Sequence, residues 1–259
     1  ILLILNLKFL LSNKTNISDE KRFKIDAKNI VAIASGKGGV GKSTFSVNLA
    51  TALSSLDLKV GLLDADIYGP SIPRMMGISK KPIMNENKKL VPLENYGIKL
   101  MSIGFILDSE APTIWRGPMV MKALEQMFNG VEWGELDYLI IDLPPGTGDA
   151  QLTLAQSSKL SGSIVISTPQ DVALTDARKG INMFKKVNVD ILGIVENMSY
   201  FICDNCNQKH YIFSKDGVKK EAEESKIPFL GEIPIDTNLR IKSDNGIPAL
   251  ICLLYTSDA

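Results

Sequence analysis

Apolar runs of strand length alternate with stretches of helical periodicity along most of the chain. The strand-type runs are short, continuous and rich in β-branched residues: Asn29–Ser35, Lys59–Asp66, Lys99–Phe105, Asp137–Pro144, Ser163–Pro169, Asp190–Met198 and Phe229–Pro234. Apolar residues at helical spacing predict helices over Thr44–Leu56, Met119–Phe128 and Val172–Lys186. Continuous apolar strands separated by helices indicate an α/β fold, doubly wound, with a mostly parallel sheet and helices on both faces.

Length and composition narrow the class of protein. The chain has 259 residues, of which 45% are hydrophobic, which suits one large domain or two small ones with a substantial core. Its 29 basic residues balance 29 acidic ones, so the charge gives no support for nucleic-acid binding, which requires a basic excess or patch. Three cysteines are too few for a disulfide framework in a chain of this length, and we expect a cytoplasmic location in a reducing environment.

The stretch after the first predicted strand, GKGGVGKST at Gly36–Thr44, fits the phosphate-binding pattern G-x-x-x-x-G-K-[ST]. Glycines let successive N–H groups turn toward one anion, and the start of the following helix adds its positive dipole end. Lys42 is predicted to reach the β- and γ-phosphates of ATP, and the Ser43 hydroxyl to bind Mg²⁺. The predicted nucleotide-binding residues of the loop are Gly36, Lys37, Gly38, Gly39, Val40, Gly41, Lys42, Ser43 and Thr44.

Acidic residues at the ends of two later strands complete this predicted site. Asp142 ends an apolar strand in the manner of a Walker B carboxylate, which holds Mg²⁺, and Asp64 is a second candidate for that ion. Asp66 is predicted to orient the attacking water, so that Lys42 and Asp66 belong to the predicted catalytic set of an Mg-dependent ATPase. Any one of these aspartates alone would be interpreted as a helix cap or turn residue.

Cys203 and Cys206 form a C-x-x-C pair in a polar loop after a predicted strand. One pair supplies two thiolates, whereas a [4Fe-4S] cluster takes four, and a two-fold axis between two copies of the chain would supply that number. Zinc is the main alternative, because His210 would add a third ligand of the type zinc favours. A structural pair also stays open, and a thioredoxin-type redox pair is disfavoured because that motif opens a helix.

The two ends of the chain do not follow the pattern of the rest. It begins with ILLILNLKFLL, which is shorter than the ~20 residues that span a bilayer and lacks the basic start and cleavage site of a signal peptide. We therefore predict no membrane partner. Residues 1–27 are interpreted as an N-terminal remnant or extension, 28–248 as a P-loop ATPase domain, and 249–259 as an atypical end, truncated or artefactual, in which Cys252 has no role.

Several motifs carry a family resemblance. GKGGVGKS, with its second lysine, resembles the deviant Walker A ATPases, the class of MinD, ParA and the nitrogenase iron protein. Within that class, DADIYGPSIPRMMG, WRGPMV (Trp115–Val120), DLPPGTGD and ENMSYFICDNC resemble the Mrp/ApbC family of iron–sulfur cluster carriers. The similarity extends from Lys28 to Pro248.

The resemblance implies a homodimeric ATPase that binds a [4Fe-4S] cluster and transfers it to apo iron–sulfur proteins. Lys37 matches the signature lysine that reaches the nucleotide of the other subunit, so the resemblance adds it to Lys42 and Asp66 in the predicted catalytic set. Asn197 matches the position that recognises adenine. Cys203 and Cys206 then hold a cluster shared between subunits, and His210 is a bystander.

Two further functions compete with cluster transfer. A MinD/ParA-like positioning switch would need an amphipathic basic tail or a basic surface. A small-molecule kinase would need an arginine-rich lid, but the arginines after the loop do not cluster: Arg74, Arg116, Arg178 and Arg240. The cysteine pair best distinguishes cluster transfer from these two functions, because neither of them needs it. A zinc-binding P-loop ATPase is a further alternative, and it would also use the pair.

Overall fold

The computed structural model of the protein describes residues 25–106 and 117–251. Its strands are β1 (Ala27–Ser35), β2 (Val60–Asp64), β3 (Leu93–Asn95), β4 (Ile98–Ser102), β5 (Leu136–Asp142), β6 (Gly162–Ser167), β7 (Ile191–Ile202), β8 (Lys209–His210) and β9 (Phe229–Ile235). Its helices are α1 (Lys42–Ser54), α2 (Ile72–Met75), α3 (Gly117–Asn129), α4 (Asp149–Ser157), α5 (Asp171–Lys186), α6 (Gly217–Ser225) and α7 (Thr237–Asp244), with a 3-10 turn at Ile103–Phe105.

The strands of the described residues form one sheet in the order β3-β4-β2-β5-β1-β6-β7-β8, and β9 also pairs with β7. The interior pairs are parallel, whereas β3 and β8 are short antiparallel strands that pair with β4 and β7. Strand β1 lies between β5 and β6, so its carboxyl end lies beside the carboxyl ends of both. Ligands of open α/β sheets bind at that edge.

Apolar side chains cover the sheet on both faces. In β6, Ile164 and Ile166 belong to the main hydrophobic core, whereas Val165 between them packs in a second cluster with Ile181 of α5 and Val218 of α6. Successive strand residues point to opposite faces, so these two clusters lie on the two sides of the sheet. The predicted doubly wound α/β fold with a mostly parallel sheet is confirmed.

The predicted strand Asp190–Met198 ends too early, because β7 continues to Ile202 and pairs with β8 in a hairpin. Six short elements were not predicted from the pattern of apolar residues: β3, β8, α2, α4, α6 and α7. Elements of two to nine residues show too few turns or alternations to reveal a period.

Several sequence predictions lie outside the described residues. These are most of 1–27, most of 249–259 including Cys252, and the part of the WRGPMV segment that precedes residue 117, including Arg116. Among the helices that the structure describes, none combines the length and apolar character that crossing a membrane requires.

Candidate functional site

The phosphate-binding loop connects β1 to α1 at the carboxyl edge of the sheet. Gly41 directly precedes α1 with a φ of 85°, in the left-handed region that glycine adopts without strain. A side chain at Gly41 would also collide with the Asn197 amide, whose Nδ2 donates a hydrogen bond to the Val40 carbonyl at 2.8 Å. The middle of β7 therefore packs directly on the loop.

Lys42, Ser43 and Asp142 form the centre of the site. The Lys42 ammonium and the Ser43 hydroxyl both donate to Oδ2 of Asp142, at 2.7 and 2.6 Å. The Asp142 carboxylate is fully buried, and its other oxygen accepts a hydrogen bond from Ser46 Oγ at 2.6 Å. A buried carboxylate with a cation and two hydroxyl donors is well compensated, which fixes its orientation toward the loop.

Ser46 also belongs to the site, although it was not predicted from the sequence. Its spacing from Lys42 along α1 is the signal that could have identified it. It stands four positions after Lys42 on α1, and residues at that spacing share a face of a helix. Its side chain is fully buried, and its hydroxyl donates to a carboxylate oxygen. Ser46 therefore acts as a positioning residue for Asp142.

The two aspartates at the carboxyl end of β2, Asp64 in the strand and Asp66 after it, have different surroundings. Asp66 lies 3.5 Å from the Lys42 ammonium, so the structure brings the predicted water-orienting carboxylate to the lysine of the loop. Asp64 is fully buried and accepts hydrogen bonds from Ser102 Oγ at 2.9 Å and from the backbone of Asp66 and Ile72. Its carboxylate thus anchors the segment that carries Asp66.

The pKa of Asp64 is raised to about 7, first because burial disfavours its charged form and second because the Asp142 carboxylate lies nearby. The hydrogen bond from Ser102 opposes this rise. The folded chain therefore keeps the Asp64 proton to a higher pH than the unfolded chain does.

Stability of the nucleotide-free chain should fall as the pH rises from 3.8 to about 7, the interval between the ordinary and the raised pKa of Asp64. In that interval the folded state binds more protons than the unfolded state, so the stabilisation present below pH 3.8 is lost as Asp64 ionises. Melting temperatures at matched ionic strength, with chelator present, test this. Asp64→Asn should flatten the curve, and a wild-type curve no steeper than that of this variant would contradict the assignment.

The loop after β5 is tied to the end of β1. The Gly146 N–H donates to the Ser35 carbonyl at 2.9 Å, and the buried Gln151 amide of α4 donates to the Pro144 carbonyl. These attachments place the loop after β5 beside the phosphate-binding loop, which also begins at the end of β1.

Lys37, the second lysine of the loop, has different surroundings from Lys42. Its backbone carbonyl accepts a hydrogen bond from Ser35 Oγ at 2.9 Å, which holds the loop at that point. Within the ranges 25–106 and 117–251, no residue forms a hydrogen bond or ion pair with its ammonium group. Lys37 as a residue is half-buried, and its ammonium is not engaged by the described part of its own chain.

An apolar cavity of about 310 Å³ opens beside the loop. Its lining includes Thr44 and Phe45 at the start of α1, Asn197 at the end of the regular part of β7, and Pro234 of β9. Asn197, the predicted adenine-binding residue, is thus placed at the boundary between this cavity and the phosphate-binding loop. The segment after α7 closes the other side, where the Leu250 N–H donates to Asn48 Oδ1.

The cysteine pair lies in the hairpin between β7 and β8. The Cys203 N–H donates to the Gln208 carbonyl at 3.0 Å, and the Asn207 N–H donates back to the Cys203 carbonyl at 2.8 Å. Cys206 is exposed and Cys203 is half-buried, and both are free thiols. Backbone N–H groups of Cys206 and Asn205, together with the Cys206 thiol, lower the pKa of Cys203 and favour its thiolate.

Comparison with known proteins defines the class first. One similar solved structure is a nucleotide-binding protein from Archaeoglobus fulgidus in complex with ADP, in which cobalt was found. Its sequence is 42% identical to this chain, and the match covers 86% of this chain and 88% of the other. The two structures superpose with a TM-score of 0.76. With the strand–loop–helix and the Lys42–Asp142 pair described above, this defines the chain as a P-loop NTPase.

The family follows from the sequence comparison. The ParA family model described as NUBPL iron-transfer P-loop NTPase matches residues 26–257, and the chain belongs to that family. The Arabidopsis thaliana iron-sulfur protein required for NADH dehydrogenase, mitochondrial, is 55% identical over 86% of this chain and 72% of its own length. The Aquifex aeolicus iron-sulfur cluster carrier protein is 53% identical over 86% of this chain and 62% of its own length. The resemblance to the MinD/ParA class and the Mrp/ApbC carriers is confirmed.

Proposed function

We propose that this chain is an ATP-hydrolysing carrier that transfers a [4Fe-4S] cluster to apo iron–sulfur proteins, through a P-loop domain over 28–248. One observation carries the proposal: strand β7 contacts the nucleotide loop through Asn197 and leads, at its end, directly into the thiols of Cys203 and Cys206. A change at the loop therefore has a short physical route to the thiols. The relatives named as iron–sulfur proteins support the proposal that the chain carries a cluster. The relative in complex with ADP supports the proposal that it binds a nucleotide.

The nucleotide half rests on the oxygen and nitrogen groups around Asp142. The Ser43 hydroxyl and the carboxylates of Asp142 and Asp66 form an oxygen-rich donor set of the kind that fits Mg²⁺, with Asp64 as a further candidate. Bound Mg²⁺ would neutralise charge on the phosphate oxygens. Lys42 would release Asp142 to bind the phosphates, and Asp66, next to Lys42, would orient the attacking water. The apolar cavity beside Asn197 would take the adenine base.

The cluster half requires a second copy of the chain. Each hairpin offers two thiols at the surface, and a [4Fe-4S] cluster takes four thiolates. A two-fold axis beside the hairpin would bring both pairs together, and the position of the thiols at the surface would let the cluster leave when the subunits separate. Lys37, which the described part of its own chain does not engage, would reach the nucleotide of the partner subunit.

Anaerobic reconstitution with iron and sulfide should load about one cluster per two chains, the stoichiometry that a shared four-thiolate site requires. The variant with Cys203→Ala and Cys206→Ala should load none, while its ATP affinity stays unchanged. Iron and sulfide analysis, with the broad visible absorption of the cluster, measures loading. Ser225→Ala, a substitution at the last residue of α6, is a control that should load normally. Undiminished loading of the double variant would contradict the bridging site.

Lys37→Ala should spare ATP affinity but lower turnover by about 10³-fold or more, because a cation supplied in trans stabilises transition-state charge to that extent in related systems. The measurement is kcat from phosphate release, alongside ATP binding by calorimetry. Mixing this variant with a chain that carries Asp66→Asn distinguishes a role in trans, since the mixed dimer would regain one intact site. Unchanged turnover in Lys37→Ala would contradict its assignment.

A further inference from the structure

The hairpin that carries the two cysteines also brings a histidine to them. One donor atom from each of Cys203, Cys206 and His210 lies within 4.8 Å of the other two. A tetrahedral zinc-type ion, with bonds of about 2.3 Å to sulfur and 2.0 Å to nitrogen, needs ligand atoms roughly 3.3–3.8 Å apart. Small rotations of these three side chains, two of them exposed, are enough to close that difference.

Strand pairing explains why His210 shares a face with Cys203. His210 pairs with Phe201 across the antiparallel β7–β8 ladder, so both side chains point to the same face. Cys203 follows Phe201 by two positions, and side chains at that spacing in an extended chain also share a face. The convergence of the imidazole and the thiol is therefore fixed by the register.

The side chain of Lys209, next to His210, lies on the opposite face of the hairpin, away from the three metal-binding side chains. Lys209 alternates with His210 on β8, and its ammonium lies 4.0 Å from the centroid of the Tyr200 ring. The Tyr211 ring meets Tyr200 edge-on, with the centroids 6.1 Å apart. An ammonium held on an aromatic face is stabilised there. Within the described residues, the His210 ring forms no hydrogen bond or ion pair that would compete with a metal ion.

We infer that one chain by itself binds one divalent ion of the zinc type through Cys203 Sγ, Cys206 Sγ and a ring nitrogen of His210, with the fourth position open. Binding releases the thiol protons to solvent, so both sulfurs coordinate as thiolates. This site goes beyond the shared cluster, because it needs no second chain. It uses the same thiols, so an ion held in one chain excludes them from a cluster between two chains.

Cobalt(II) alone, added anaerobically to the metal-free and nucleotide-free full chain, is a suitable probe, because tetrahedral thiolate coordination gives thiolate-to-metal charge-transfer and intense visible bands. We expect one Co²⁺ per chain, without dimerisation in sedimentation, and displacement by Zn²⁺. His210→Ala should weaken binding by about 10–100-fold, at least what loss of a supporting partner costs a metal site, and should shift the visible bands. Gln208→Ala, at an exposed position two residues before His210, is the matched control and should bind as the wild type does.

Two results would overturn the inference. One is a His210→Ala variant with wild-type Co²⁺ affinity and spectrum, and the other is one ion for every two chains. Neither result affects the proposed carrier function, which the loading of iron and sulfide tests on the cysteine variants. A His210→Ala chain that loses Co²⁺ affinity but still loads a cluster would support the inference and keep the two sites distinct.

Discussion

Replacing Lys42 with alanine is expected to weaken ATP binding by about 100-fold or more and to abolish turnover. Hydrogen bonds between charged groups contribute roughly 1.5–3 kcal/mol each, and loss of two such bonds to phosphate corresponds to that factor. Lys42 is the residue with the largest expected effect because its ammonium is buried among the reacting groups, 2.7 Å from Asp142 and 3.5 Å from Asp66.

The same variant should also be less stable without nucleotide. Asp142 is fully buried, and although Ser43 and Ser46 would still donate to it, its cationic partner would be lost. Removal of one partner from a buried pair leaves a charge that is not compensated. A lower melting temperature with retained circular dichroism at 20 °C or below would identify a folded but weakened chain.

Lys37→Ala is the matched control for this experiment. It removes one positive charge from the same loop, but the Lys37 ammonium makes no hydrogen bond or ion pair within the part of the chain that the structure describes. Calorimetric titration of both variants with ATP and Mg²⁺ separates the two lysines. A Lys42→Ala chain that bound ATP within threefold of the wild type would show that the phosphates bind elsewhere.

The frame of the fold could be predicted because its strands are long, apolar and buried on both faces. The runs predicted to end at Ser35, Pro144 and Pro169 coincide with strands β1, β5 and β6 to within two residues at their carboxyl ends. The loop and its acidic partners follow from that frame, since the ends of adjacent parallel strands lie at one edge. The structure places Lys42, Ser43, Asp66 and Asp142 next to one another at that edge, and their roles in ATP turnover stay predictions.

The remaining features depend on contacts between side chains that cannot be predicted from the spacing of apolar residues along the chain. The approach of His210 to Cys203 depends on the register of β8, a strand of two residues. Ser102, which donates to Asp64, lies at the end of β4, in a predicted strand but without a predicted role. The role of Asn197 could be taken only from the family resemblance, and the structure adds its contact with Val40. Side chains that connect distant elements become visible only when the elements are assembled.

Gly36→Ala is expected to destabilise the whole domain. The reason is a close contact between Gly36 and the backbone of α5, which cannot be predicted from the sequence. A methyl group at Gly36 would lie 2.1 Å from the Asp176 carbonyl carbon and 2.4 Å from the Ala177 nitrogen. Both atoms are backbone of α5, so no side-chain rotation can relieve the overlap. The glycine that the sequence assigns to phosphate binding is thus also required where β1 meets a helix.

The expected loss in the free energy of unfolding is about 3 kcal/mol or more, the upper part of what overpacking costs, because α5 would have to move away from the sheet. Urea denaturation of the nucleotide-free chain measures it. Gly38→Ala is the matched control: it adds the same methyl group two positions later, where nothing lies within 4 Å. Gly38→Ala should unfold at nearly the wild-type urea concentration, even if its ATP affinity changes. Equal urea midpoints for the two variants would contradict the prediction. They would mean that α5 accommodates the methyl group without loss of stability and that Gly36 is needed only for phosphate binding.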